Sequence, residues 1–107
     1  LNDLSAELSL ESHPLPIALL GVNGIGLEVG NPLATAGRTI PWLQDVAAED
    51  VWTKWAITYR DVVVLDGENR KVGVYNLTVH DLGDAANYAE LKQMLVDAAE
   101  GKLAPLP

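Results

Sequence analysis

Thr58-Tyr59-Arg60-Asp61-Val62-Val63-Val64-Leu65-Asp66-Gly67-Glu68-Asn69-Arg70-Lys71-Val72-Gly73-Val74-Tyr75-Asn76 is the stretch whose reading decides the fold. Val62 to Leu65 is a β-branched run that fits a pleated, half-buried surface. Asp66-Gly67-Glu68-Asn69 supplies turn residues, and Lys71 to Asn76 follows as the antiparallel mate. The expectation is a hairpin closed by a tight Asp-Gly turn.

Working outward, the spacing predicts a last helix from about Asp84 to Glu100. Tyr88, Leu91, Leu95 and Ala98 line one stripe of it, Asp84 caps it and Gly101 stops it. The tail 102–107 has little reason to be ordered, so the domain reads as 1–101. Upstream of the hairpin, Val51, Trp52 and Trp55 fall at helical spacing within Ala47 to Ile57, with Asp45 as an N-cap or turn before them. Ile40 to Gln44 is a brief strand whose Pro41 argues for an edge position. Residues 23–39 hold Gly24, Gly26, Gly30, Pro32 and Gly37, a loop with a helical turn around Leu33 to Ala36. Ile17 to Val22 is apolar throughout, as in a strand covered on both faces. Leu1, Leu4 and Leu8 mark an amphipathic helix stopped by Pro14 and Pro16. No cap precedes that helix, so the chain is expected to begin inside it, as at a cut end.

Composition narrows the function classes. A chain of 107 residues is one domain with room for a real core. Seven Lys/Arg against fifteen Asp/Glu give a net charge of −8, with the basic residues scattered. Nucleic acid needs clustered cations, so it is excluded as a partner; the acidity favours solubility. The apolar run Ile17 to Val22 is far too short to span a bilayer, which argues against a membrane partner. With no cysteine, the chain has no disulfide framework, Cys-zinc site or thiol chemistry of its own.

The order helix, strand, loop, strand, helix, strand–turn–strand, helix resembles the redoxin branch of the thioredoxin-like superfamily, which includes the alkyl hydroperoxide reductase–thiol-specific antioxidant group. Ile17 to Asn23 resembles that family's strand ending in Val-Asn. Ile40-Pro41-Trp42-Leu43-Gln44-Asp45 resembles its Pro-x-Leu-x-Asp insert strand, and Ala56 to Gly67 its late strand entering an Asp-Gly turn. The resemblance implies an α/β, thioredoxin-like mixed sheet flanked by helices. It ends in the antiparallel hairpin and C-terminal helix. Two departures qualify it. The family's Cys-x-x-Cys or peroxidatic cysteine, and the strand before it, would lie ahead of Leu1. Arg60-Asp61 stands where the family usually has a cis-proline. No catalytic residue is therefore carried over. The missing central strand would sit between 17–22 and 62–65, leaving edges that recruit a protein partner or a second copy, unless the gap closes.

The remaining candidates have structural readings beside the functional ones. Gly21 to Gly30 superficially fits a dinucleotide fingerprint, but Gly30, Pro32 and Gly37 break the helix such a site needs. His80, Asp81 and Asp84 could bind a cation weakly, or the two Asp residues cap the last helix. His13 is the only other imidazole. Ser5, Ser9 and Ser12 lack an elbow motif, and Ser12-His13 is only adjacency. Trp42, Trp52 and Trp55 form either an interaction surface or core packing, with Trp52 and Trp55 on one face. Asn76-Leu77-Thr78 fits a glycosylation acceptor. No cofactor or metal ligand set stands out. Arg60, Asp61 and the three tryptophans are the candidate interaction or active-site-adjacent residues.

Two functions are expected from this reading. One is the C-terminal portion of a redoxin-type thiol-disulfide oxidoreductase or peroxidase, inactive as this chain. The other is a non-catalytic thioredoxin-like module for protein binding or self-association.

Overall fold

The hairpin forms where the valine run places it. A computed structural model describes residues 1–13 and 16–106. Its elements are α1 (Asn2–Ser9), β1 (Gly21–Asn23), a single 3-10 turn (Glu28–Gly30), α2 (Asn31–Thr35), β2 (Trp42–Gln44), α3 (Val51–Lys54), β3 (Asp61–Leu65), β4 (Lys71–Asn76) and α4 (Ala85–Ala99). This is a compact α/β arrangement. Among the described residues the strands lie in two separate two-stranded sheets and not in one mixed sheet: β1 parallel to β2, and β3 antiparallel to β4.

The core belongs to the hairpin and two helices. Leu4 and Leu8 of α1, Val64, Val72 and Tyr75 of the hairpin, and Leu91, Leu95 and Ala98 of α4 form one buried cluster. Helical spacing puts Leu4 and Leu8 on one face of α1, and the same rule aligns Leu91, Leu95 and Ala98. Polar contacts fix how the two helices meet. Tyr88 donates to Glu7 Oε2 at 2.6 Å, and Lys92 donates to Glu7 Oε1 at 2.6 Å and Glu11 Oε2 at 2.7 Å. Asp84 caps α4 by accepting from the amides of Ala86 and Asn87.

Several elements differ from expectation for identifiable reasons. The strand expected over Ile17 to Val22 is confined to Gly21–Asn23, because β2 offers only three residues to pair with. Its two-sided burial also fails: Ile17 and Leu19 pack against the core while Leu20 is exposed. The helix expected over Ala47 to Ile57 shrinks to Val51–Lys54. Asp45 draws in the amides of Val46, Val51 and Trp52, and Asp50 turns left-handed at φ 44°. The helical turn expected at Leu33 to Ala36 starts earlier, at Asn31, with Pro32 in its first turn. In the hairpin turn the left-handed residue is Asn69, at φ 60°, and not Gly67. The helix α1 ends at Ser9, ahead of the prolines; Pro14, named as a stop, lies outside the described residues, as do Leu15 and Pro107. The tail is tied down at two points: Leu103 packs on the core and the Leu106 amide donates to the Lys71 carbonyl.

Candidate functional site

The five singled-out residues fall into three places and form no single cluster. Trp42, on β2, lies over β1: a Cβ on Gly21 would overlap its ring, so the glycine opposite it is required by the indole. Its Nε1 donates to Asn31 Oδ1 at 2.6 Å, and it is the exposed member of the three. Trp52 sits at the other side of β1, and its Nε1 donates to the Val22 carbonyl at 3.2 Å. Trp55 is half-buried at the end of α3, where its carbonyl accepts from Lys71 Nζ at 3.1 Å.

Residues missed by sequence reasoning surround Trp42. Strand alternation puts Gly21 and Asn23 on the same face as Trp42 and Gln44. Three carboxamides meet there. Asn23 Nδ2 donates to Leu27 O at 2.7 Å, Asn31 Oδ1 at 2.9 Å and Gln44 Oε1 at 3.1 Å. Asn31 Nδ2 also reaches Gln44 Oε1 at 3.1 Å, and Gln44 Nε2 donates to Gly24 O and Asp45 O. The network pins the 24–31 segment to the ends of β1 and β2. Glycine fingerprint and loop readings separate here: the segment is a structural loop, as its Gly and Pro content implied. Only the amide-rich composition near a tryptophan signalled this network, and the strand pairing that assembles it is not written in either segment alone.

Asp45 is the one buried charged side chain of the described residues. Burial pulls its pKa upward, but hydrogen bonds from the Trp52, Val51 and Val46 amides outweigh that and leave the carboxyl below its ordinary value. It thus acts as a capping anion for α3 from outside the helix.

Arg60-Asp61 opens the hairpin. Arg60 is exposed with φ 66°, and its carbonyl accepts from the Leu77 amide at 2.9 Å. Asp61 accepts from the Thr58 amide at 2.8 Å and from Asn76 Nδ2 at 2.9 Å. The pair closes a turn. Asn76 spends its Nδ2 on Asp61 and the Tyr59 carbonyl, and its Oδ1 on the amides of Thr78 and Val79. Its side chain is therefore engaged locally.

The histidines do not meet. His80 stacks on Tyr75 with ring centroids 4.5 Å apart. Of the two acidic residues expected to cap α4 only Asp84 does so, while the Asp81 side chain accepts from the Gly83 amide in the turn ahead of the helix. His13 Nε2 lies 3.2 Å from Glu11 Oε1. Among the described residues no three His, Asp or Glu side chains converge as a metal site, and no helix is long and apolar enough to cross a membrane.

The strand edges complete the inventory. Gly21 N bonds to Pro41 O and Asp45 N to Asn23 O, so the backbone of Val22 between them points away from β2. In the hairpin, the Leu77-to-Arg60 bond sets the alternation that turns the amide and carbonyl of Val63 away from β4. Each two-stranded sheet is open along both of its strands; the outward edges of β1 and β3 lie at Val22 and at Val63, and the indole of Trp52 occupies the one at Val22. No protein-family model, curated protein or solved structure matches this chain.

Proposed function

We propose that this chain is the C-terminal portion of a redoxin-type, thioredoxin-like domain, a thiol-disulfide oxidoreductase or peroxidase in class, and that it is inactive without the segment carrying the reactive residue. One observation carries the reading: the parallel pair and the hairpin are separate half-sheets, with outward edges on β1 and β3. The resemblance puts its missing central strand between those same two strands. The element order of the resemblance also recurs, from α1 through the hairpin to α4. In this reading the chain supplies support, with α1 and α4 locked by Glu7, Tyr88 and Lys92 beside the hairpin.

The test is the native gene product, sequenced with any in-frame stop codon read as selenocysteine. A cysteine or selenocysteine shortly ahead of α1 is expected. A native product without either sinks the redox reading. Insulin reduction and peroxide turnover by the 107-residue chain are expected to be blank, and activity in either refutes the proposal.

The second reading is a binding module without catalysis. It is favoured by the contrast between the edges: Trp52 bonds to the Val22 backbone of β1, while among the described residues no side chain bonds to the Val63 backbone of β3. Unpaired edges template added strands, so this reading expects self-association through β3. A concentration-independent monomer in sedimentation removes the self-association arm.

A further inference from the structure

Asn23-Gly24 lies at the centre of the carboxamide network, and each surrounding amide is oriented from outside. The indole of Trp42 is a donor only, so it holds Asn31 Oδ1 at 2.6 Å. Gln44 Nε2 is committed to Gly24 O at 2.9 Å and Asp45 O at 3.0 Å, which turns Gln44 Oε1 toward Asn23. With Leu27 O as the third acceptor, the place between them admits a donor and rejects an oxygen. Asn23 Nδ2 meets that requirement; an aspartate at the same position does not.

We infer that Asn23 is a deamidation site restrained by this network, and that its conversion is a one-way chemical switch releasing segment 24–31 from β2. The Gly24 amide nitrogen lies 3.0 Å from Asn23 Oδ1, beside the carboxamide it attacks, and glycine has no Cβ to hinder ring closure. The Gly24 nitrogen bonds to Asn23 Cγ as it loses its proton. The Cγ–Nδ2 bond then breaks, ammonia departs with the added proton, and a five-membered succinimide remains. Water opens that ring at either carbonyl, giving aspartate or isoaspartate; nothing is oxidised or reduced. Ammonia leaves only when Nδ2 gives up its three acceptors, so the folded network slows the step. In the aspartate product the Gly24 amide can still serve one carboxylate oxygen. The other replaces Nδ2 and faces three oxygens, with Asn31 Nδ2 already spent on Gln44 Oε1 and the Trp42 indole on Asn31 Oδ1. The segment released carries Ile25, Leu27 and Val29, all exposed.

The whole chain is incubated at mildly alkaline pH, folded and in denaturant, and the Asn23 peptide is followed by mass spectrometry with isoaspartate detection. Conversion is expected to be about tenfold slower in the folded chain, the rate equivalent of one strong hydrogen bond. Asn31→Ala removes an acceptor of Nδ2 and is expected to bring the folded rate toward the denatured one; Gln44→Met is the second variant with the same expectation. Hydrogen exchange of Asn23→Asp is expected to show lost protection in 24–31 with the β3–β4 amides unchanged, and those hairpin amides report that each variant is folded. Equal rates in folded and denatured chain overturn the inference. So does a folded rate unmoved by both variants, or full protection of 24–31 in Asn23→Asp.

Discussion

Eight buried apolar residues form the cluster that joins α1, the hairpin and α4, whereas the described residues from β1 to α3 contain no buried apolar side chain. That second region is built on Asp45 and on the amides of Asn23, Asn31 and Gln44, while Ile25, Leu27, Val29, Leu33 and Leu43 remain exposed. The difference is physical. Apolar burial is non-directional and grows with area, so it tolerates a shifted neighbour. A hydrogen-bond network depends on every donor finding its acceptor, and a half-satisfied network is worse than none.

The largest expected effect tests that contrast directly. Leu91 is fully buried between α1 and the hairpin, so Leu91→Ala should destabilise the chain by about 3 kcal/mol in urea unfolding. Leu43, 51% exposed on β2, should cost less than about 0.5 kcal/mol when changed to Ala. Equal losses would mean that the second region has an apolar core of its own.

A smaller effect is electrostatic and confined to the α1–α4 contact. Hydrogen bonds from Lys92 and Tyr88 hold the Glu7 carboxyl below its ordinary value. A depressed folded pKa stabilises fully above the ordinary Glu value, and the gain is lost as pH falls through the folded value. Tyr88 shows the opposite sign: its hydrogen bond to Glu7, then burial, push its phenol up to about 12 from 10.0. That contribution is complete below 10.0 and lost as pH rises through about 12. Glu7→Gln should therefore flatten the acid limb of stability against pH and shift Tyr88 ionisation, followed by phenolate absorbance, back toward its ordinary value. An unmoved Tyr88 titration would show that the two side chains are not coupled. Acid loss of α3 protection should survive in Glu7→Gln, because Asp45 titrates separately there.

How legible each region was follows from the same division. The valine run, the Asp84 cap and the stripe Leu91, Leu95 and Ala98 encode periodicity and local capping, and all are in place. The α3 region was over-read because Val51, Trp52 and Trp55 have helical spacing, while the carboxylate of Asp45 reorganises residues 46–50 through bonds spanning six and seven positions. Trp42 over Gly21 and Asn23 against Gln44 depend on strand register, which neither segment specifies by itself. Arg60 and Asp61 were identifiable as unusual, and the structure gives them a turn-closing role that their types alone do not reveal.

The finest comparison is between two helix ends with the same geometry and different residues. At the end of α4, Gly101 sits at φ 72°; its amide bonds to Ala98 O and the Lys102 amide bonds back to Asp97 O. At the end of α3, Ala56 sits at φ 52°, with its amide on Thr53 O and the Ile57 amide on Trp52 O. Both are six-to-one and five-to-two closures, the motif in which the left-handed position favours glycine. Alanine there strains Cβ against the following carbonyl by about 1 kcal/mol. Ala56→Gly relieves that strain but adds freedom to the unfolded chain, so the net gain should be about 0.5 kcal/mol. Gly101→Ala should lose about 1 kcal/mol at the better-packed end, since strain is introduced against a fixed core. Measured side by side in urea, the two substitutions should move stability in opposite directions. A loss from Ala56→Gly would show that α3 is held by Asp45 and Trp52 alone, with its terminal turn contributing nothing.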